Sequence, residues 1–239
     1  MNAGHPHQPI TLLPLNTMLK QLIKNIFNAF GLEVRKKIHA PLSDAASYNS
    51  QANADLFYGD EKAVSAYLSA ERISFYKEII HLLEQQLELK NIHTVADVSA
   101  GTGHLLKLFR EKHAGKKYFG FDYSGKALDV CRKTCPGITF SQADLYKGVA
   151  QTFDLLLCVD TLEHLEYPEK AISSMLNMTN ASGYVCIAVP NGRYDTFEGH
   201  IHYWSPESLM LFLKQLGCTI TYSHVCNEFA QQCVVIQKK

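Results

Sequence analysis

Val95-Ala-Asp-Val-Ser-Ala-Gly-Thr-Gly103 decides the fold: a short apolar run closes on Asp97, turns through Gly101 and Gly103, and enters an amphipathic segment. That is the pattern of a buried strand, a tight turn and a helix over Gly103–His113. Working outward, further short apolar runs read as strands at His93–Val98, Lys117–Phe121, Gly137–Ser141, Phe153–Val159 and Gly183–Val189. Helix-length segments at Ser124–Thr134 and Pro168–Asn177 lie between them. Alternation of this kind predicts an α/β fold with a largely parallel sheet and right-handed crossovers. The chain closes with a helix at Pro206–Gly217 and strands at Thr219–Val225 and Gln231–Gln237. Too few residues separate those two strands for a crossover helix, so they are expected to pair antiparallel.

Upstream of residue 91 the texture is helical. Residues 1–15 carry three of the eight prolines and read as a flexible tail. In Met18–Lys37 the residues Leu19, Leu22, Ile23, Ile26, Phe27 and Phe30 recur at helical spacing, with lysines off that face. Such a helix packs on the domain, acts as a lid, or lies on an anionic membrane surface. Residues 61–90 form a second helical region that carries Tyr67, Arg72 and Tyr76. The expected organisation is a tail (1–15), a helical extension or cap (16–90) and an α/β domain (91–239).

Apolar residues make up 46% of the 239 residues and charged ones 19%, as expected for a chain that buries a core. Twenty-three basic side chains balance 23 acidic ones, so no net field favours nucleic acid. The seven cysteines lack CxxC spacing, and several sit in apolar runs. That favours free thiols in a reducing compartment over a disulfide framework. With no signal-like start and no membrane-length apolar run, a cytoplasmic location is expected, peripheral to a membrane if residues 18–37 bind one.

In an open parallel sheet, ligands bind beyond the carboxyl ends of the strands. Gly101 and Gly103 let backbone approach a ligand closely, and the helix behind them offers N–H groups to an anion. A dinucleotide loop needs a third glycine where this chain has Leu106. Asp97 would repel a pyrophosphate but suits the ammonium group of an amino acid. At the next strand end, Asp122 can accept from two ribose hydroxyls, with Tyr123 against the nucleoside. Taken alone, Asp122 serves equally well as a helix N-cap. After the third strand, Asp144 can accept an adenine amine while Ala143 and Leu145 meet the ring; a turn aspartate is the alternative. Three acidic residues at three successive strand ends make an adenosyl-amino-acid site the better reading.

The segments VADVSAGTGHLLKLF, YFGFDYSGKALDVCRK, ITFSQADL, FDLLLCVDTLEHLEYPEKAI and GYVCIAVPN resemble, in order, the motifs of class I S-adenosylmethionine-dependent methyltransferases. Within that superfamily, DTLEHL and HIHYWSPESL resemble a small-molecule branch that includes ubiquinone-biosynthesis O-methyltransferases and bacterial sugar or glycan methyltransferases. The resemblance covers about residues 92–237. It implies a Rossmann-like, doubly wound sheet of seven strands, with S-adenosylmethionine as cofactor and S-adenosylhomocysteine as product. The family's loop usually reads D-x-G-x-G-x-G, whereas Ser99 and Ala100 stand in it here. A serine forgoes positive φ, which implies a locally different loop or cofactor affinity.

By the strand-end rule Val159 and the loop Asp160-Thr-Leu-Glu-His164 face the transferred methyl. The resemblance implies Tyr67 and Arg72 closing over the cofactor, with Arg72 near its carboxylate; a surface salt bridge is the equal alternative for Arg72. An oxygen acceptor needs a base. His164 leads and His200 is the alternative, because imidazole titrates near neutrality. Glu163 and His164 also fit a plain bracing role. His202, Tyr203 and Arg193 are expected along the acceptor pocket. The His200-Ile-His202 pair lacks an accompanying carboxylate–cysteine set, so no metal is expected. The function expected is methylation, mainly of oxygen, on a small molecule or glycan, which a lipid-binding N-terminus would extend to a lipid-linked one. An RNA or protein methyltransferase and a non-catalytic scaffold on the same fold are the rivals.

Overall fold

In the computed structural model residues 49–239 are described, so the tail at 1–15 and the amphipathic pattern at 18–37 lie outside the described residues. Among the described residues three helices come first: α1 (Gln51–Gly59), α2 (Glu61–Tyr67) and α3 (Ala70–Gln86). Each begins on a side-chain cap, with Ser50, Asp60 and Ser69 accepting first-turn N–H groups. The helical region read over 61–90 is therefore two helices, because the chain turns at Leu68 and Ser69 restarts it.

The sheet follows: β1 (Thr94–Asp97), β2 (Lys117–Asp122), β3 (Thr139–Gln142), β4 (Phe153–Val159), β5 (Thr179–Pro190), β6 (Thr219–Cys226) and β7 (Gln231–Gln237). The strand order is β3-β2-β1-β4-β5-β7-β6. β1 through β5 run parallel, while β7 enters antiparallel between β5 and β6. The expected parallel sheet with a terminal antiparallel hairpin is what forms. The hairpin closes through a 3-10 turn at Asn227–Phe229, with Ala230 left-handed.

Helices α4 (His104–Lys112), α5 (Gly125–Thr134), α6 (Pro168–Asn177) and α7 (Pro206–Gln215) complete the connections. Two apolar layers sandwich the sheet. On one face α3, α4 and α5 bury Phe75, Ile79, Leu83, Leu106, Phe109 and Leu128 against Val95, Leu155 and Leu157. On the other, α6 and α7 bury Ile172, Met175, Leu209 and Leu213 against Leu156, Val185 and Ile187. Strands covered on both sides read as continuous apolar runs, which is why β4 shows no alternation. Every strand from β1 to β5 points its carboxyl end to one edge, on both sides of the β1–β4 reversal in strand order, and that edge carries the site. Among the described residues no helix is long and apolar enough to cross a membrane.

Candidate functional site

A cavity of about 1490 Å³ opens at this edge, lined by the loop after β1, the ends of β2, β3 and β4, and α1 to α3. It is larger than the ~300–1000 Å³ that holds one drug-sized ligand, and so has room for a nucleoside and a second molecule.

At one end of the cavity the backbone folds back on two buried carboxylates. Asp97 is 3% exposed and accepts the Ser99 N–H at 3.1 Å. Asp122 is 5% exposed and accepts the Gly101 and Ser124 N–H groups, both at 2.9 Å. Burial raises both acids: Asp97 is pushed up to about 7, against the pull of the Ser99 N–H and with help from Asp122. Asp122 is raised too, opposed by its own N–H donors. An uncompensated carboxylate favours its neutral form in such a place, and a cation beside Asp97 would restore the charge. Asp97 therefore suits a positively charged group such as an ammonium, and Asp122, as a hydrogen-bond acceptor, suits the neutral hydroxyls of a ribose.

The glycine loop is shaped by two left-handed residues, Gly101 (φ +51) and Gly103 (φ +76). A Cβ on Gly101 would stand 2.9 Å from the Tyr58 hydroxyl of α1, so that helix seats directly on the loop. Gly103 does not line the cavity. It is the αL N-cap of α4, and its missing side chain admits Cys131, whose Cα and Sγ would lie 3.3 Å from a Cβ. Helix α4 therefore starts at His104, one residue later than expected. Ser99 does not adopt positive φ. Its hydroxyl accepts from Thr161 at 2.6 Å, tying the glycine loop to the loop after β4. Ser99 thus forgoes positive φ, and the left-handed positions of this loop are Gly101 and Gly103.

Tyr123 lines the cavity and its hydroxyl donates to the Asn49 carbonyl at 3.3 Å. Ala143, Asp144 and Leu145 line it as well. Asp144 also accepts the Tyr146 N–H at 3.0 Å and pairs with Lys147 at 3.1 Å, so it holds its own turn.

The far end is built from the loops after β4 and β5. Asp160 sits at φ +50, an uncommon conformation for a side-chain-bearing residue that favours functional sites. Its carboxylate pairs with Arg72 and accepts from Gln231 at 3.0 Å. Arg72 thus has a protein carboxylate as partner, beside Tyr67, whose ring lies 4.7 Å from the guanidinium carbon. Next come Glu163, His164 and His200. Glu163 is 1% exposed, and neither carboxylate oxygen has a hydrogen-bond partner. Burial pushes Glu163 up to about 8, against the pull of the nearby Glu163 and Thr161 backbone and of Arg72 and with help from Asp195. Burial and then His200 push His164 down to about 4, so its ring is neutral at pH 7. The imidazole rings meet edge to face, centroids 4.6 Å apart. His164 Nδ1 lies 3.2 Å from the Gly199 carbonyl, and His200 Nδ1 lies 2.5 Å from Asp195.

Tyr67, Arg72, Asp97, Ser99, Ala100, Gly101, Asp122, Tyr123, Ala143, Asp144, Leu145, Val159, His164 and His200 share this one cavity. His202, Tyr203 and Arg193 do not line it. His202 stacks on Trp204 and reaches the Leu165 carbonyl at 2.8 Å. Tyr203 is exposed and donates to the Phe197 carbonyl, and Arg193 pairs with Glu207 on the surface. Tyr58 and Asp195 escaped sequence reasoning. Asp195 does lie in a polar, glycine-punctuated tract, but nothing there distinguished it. The ground for expecting no metal also changes. His202 turns away, but Glu163 supplies the carboxylate that the His-x-His pair lacked.

Sheet order, strand-end carboxylates and glycine loop together define the class I S-adenosylmethionine-dependent methyltransferase fold. The methyltransferase-domain family model matches residues 68–223, and the chain belongs to that family, whose cofactor is S-adenosylmethionine. Among curated relatives, the ubiquinone biosynthesis O-methyltransferase of Coxiella burnetii is 29% identical over 121 residues, 48% of this chain and 50% of that protein. The match spans about half the length of these relatives. Among solved structures, an S-adenosylmethionine-dependent methyltransferase from Aquifex aeolicus superposes with TM-score 0.63 at 14% identity, covering 75% of this chain and 99% of its own. The plantazolicin methyltransferase BpumL, solved in complex with a pentazolic desmethylPZN analogue and S-adenosylhomocysteine, superposes with TM-score 0.60 at 14% identity, covering 83% and 98%. These two likenesses concern the fold.

Proposed function

We propose that the chain methylates an oxygen of a small molecule or glycan. The observation that carries this reading is the division of one cavity into a nucleoside end with Asp97 and Asp122 and an imidazole end with His164 and His200. When bound, S-adenosylmethionine supplies an electrophilic methyl on a sulfonium. Asp97 would hold the methionyl ammonium, Asp122 the ribose and Asp144 the adenine edge. Tyr58 and Tyr123 cover the nucleoside side. Most of the rate enhancement then comes from holding donor and acceptor in line, an effect worth up to ~7–11 kcal/mol.

An acceptor hydroxyl must also lose its proton. Of the two histidines, His200 is the better base. The Asp195 carboxylate is acceptor-only, so it fixes the proton on Nδ1, leaves the Nε2 lone pair free and stabilises the imidazolium that forms. His164, held well below neutrality, is the weaker candidate and positions the acceptor. The match to a ubiquinone biosynthesis O-methyltransferase supports oxygen as the target.

Calorimetry with S-adenosylhomocysteine tests the cofactor half: one-site binding is expected, and Asp122→Ala should abolish it. Failure of the wild-type protein to bind would overturn the reading. Labelled-methyl transfer into the small-molecule fraction of a cell extract then identifies the acceptor.

A further inference from the structure

We infer that Glu163, His164 and His200 form a binding site for one divalent transition-metal ion. One ligand atom from each of the three lies within 4.8 Å of the others. His200 Nε2 stands 3.9 Å from Glu163 Oε1. Metal–ligand bonds of about 2.0–2.2 Å place neighbouring ligand atoms roughly 3–4 Å apart, so only a small closing of the trio is needed.

Three independent features point to a cation. Glu163 is a buried carboxylate whose two oxygens have no hydrogen-bond partner. A buried charge left this way is costly unless a cation completes it. The imidazoles are also preset. The Gly199 carbonyl can only accept, so His164 Nδ1 carries a proton and Nε2 carries the lone pair. Asp195 does the same for His200. Carboxylate- and carbonyl-backed imidazoles of this kind orient metal-binding histidines. Finally, the loops that supply the trio are clamped together, since the Ile201 and His202 N–H groups both donate to the Glu163 carbonyl, at 2.8 and 3.1 Å. The charged groups around the trio are Asp195 and the Arg72–Asp160 pair, which leaves the neighbourhood net negative once Glu163 is ionised.

Two imidazoles and one carboxylate favour zinc, iron or manganese over magnesium and leave coordination positions for another oxygen ligand. The cavity side of the trio is where those positions open. Resting on the proposed reading, the ion would take the acceptor hydroxyl as a ligand and lower its pKa, so that the proton leaves to solvent water before the oxygen takes the methyl. His200 would then be a ligand, with water in place of a side-chain base.

The test uses full-length protein stripped with chelator and titrated with Zn²⁺, Mn²⁺ and Mg²⁺, followed by calorimetry and thermal melting. One ion per chain is expected, with Zn²⁺ or Mn²⁺ tighter than Mg²⁺ and the melting temperature raised. Glu163→Gln and His200→Gln should weaken binding at least 100-fold, and Asp195→Asn about 10- to 100-fold. S-adenosylhomocysteine affinity checks that each variant is folded, since its site is at the other end of the cavity. Wild-type protein that takes up none of the ions, or variants that bind them as well as wild type, would overturn the site; tighter Mg²⁺ than Mn²⁺ would overturn its metal class. Metal uptake without S-adenosylhomocysteine binding would sink methyl transfer and leave the site standing.

Discussion

His200 Nδ1 lies 2.5 Å from the Asp195 carboxylate, and both side chains are less than a tenth exposed. A carboxylate behind an imidazole fixes its tautomer and ring orientation, whether the opposite nitrogen meets a proton or an ion. Asp195→Asn keeps the shape but lets the tautomer reverse. Methyl transfer should fall about 10²–10⁴-fold in His200→Ala, the range for losing a general base. Asp195→Asn should fall by a smaller factor, with cofactor affinity unchanged in both. Single-turnover transfer of labelled methyl, alongside calorimetry, checks the split; equal losses in both quantities would point to unfolding.

The pH dependence of cofactor binding should be set by Asp97. Its folded acid is raised to about 7 by burial, and only the ionised form pairs with an ammonium. Affinity for S-adenosylhomocysteine should therefore rise as pH increases through 7, with about one proton released near pH 6.5. Without ligand the sign is opposite for stability. The folded state holds the Asp97 proton more tightly than the unfolded chain, so this contribution is complete below about pH 4 and lost as pH rises through 7. Asp97→Asn should flatten both profiles and weaken binding by about 1.5–3 kcal/mol, the worth of a charged hydrogen bond. Calorimetry in buffers of different ionisation enthalpy, with urea melts at pH 5.5 and 8, measures each.

Much of this nucleoside end was legible in the sequence, because strand ends at Asp97 and Asp122 follow from apolar runs and their turns alone. The far end was not. Glu163 and Asp195 belong to different loops, and their nearness depends on backbone bonds from Ile201 and His202 to the Glu163 carbonyl, which no local pattern encodes. His202 illustrates the converse. Spacing put it beside His200, but stacking on Trp204 carries it away from the cavity. Likewise, β5 starts at Thr179 and not near Gly183, since left-handed Ser182 and a register shift against β4 let the ladder continue further back.

Gly101 tests how tightly α1 closes the site. Gly101→Ala faces two obstacles: a left-handed φ, costing about 1–2 kcal/mol, and the Tyr58 hydroxyl 2.9 Å from the new methyl. Adding Tyr58→Phe removes only the second. The single variant should be the less stable of the two and bind cofactor more weakly, with the double variant recovering part of both losses. Equal urea midpoints for the two would mean that α1 yields freely.

Ser99 is where the loop departs from the usual D-x-G pattern, and Ser99→Gly asks whether the departure matters. Restoring the glycine brings no conformational relief, because Ser99 does not use positive φ. It removes the 2.6 Å hydrogen bond from Thr161 and adds backbone freedom to the unfolded chain. Those changes cost about 0.5–1.5 kcal/mol for the bond and ~0.5–1 kcal/mol for the entropy. Ser99→Gly should therefore melt earlier and bind S-adenosylhomocysteine no more tightly than wild type. Ser99→Ala keeps the backbone restriction and should lose the hydrogen-bond part alone. A tighter-binding Ser99→Gly variant would mean that the serine obstructs the cofactor, and the tie to Thr161 would then be a cost of this loop and not its support.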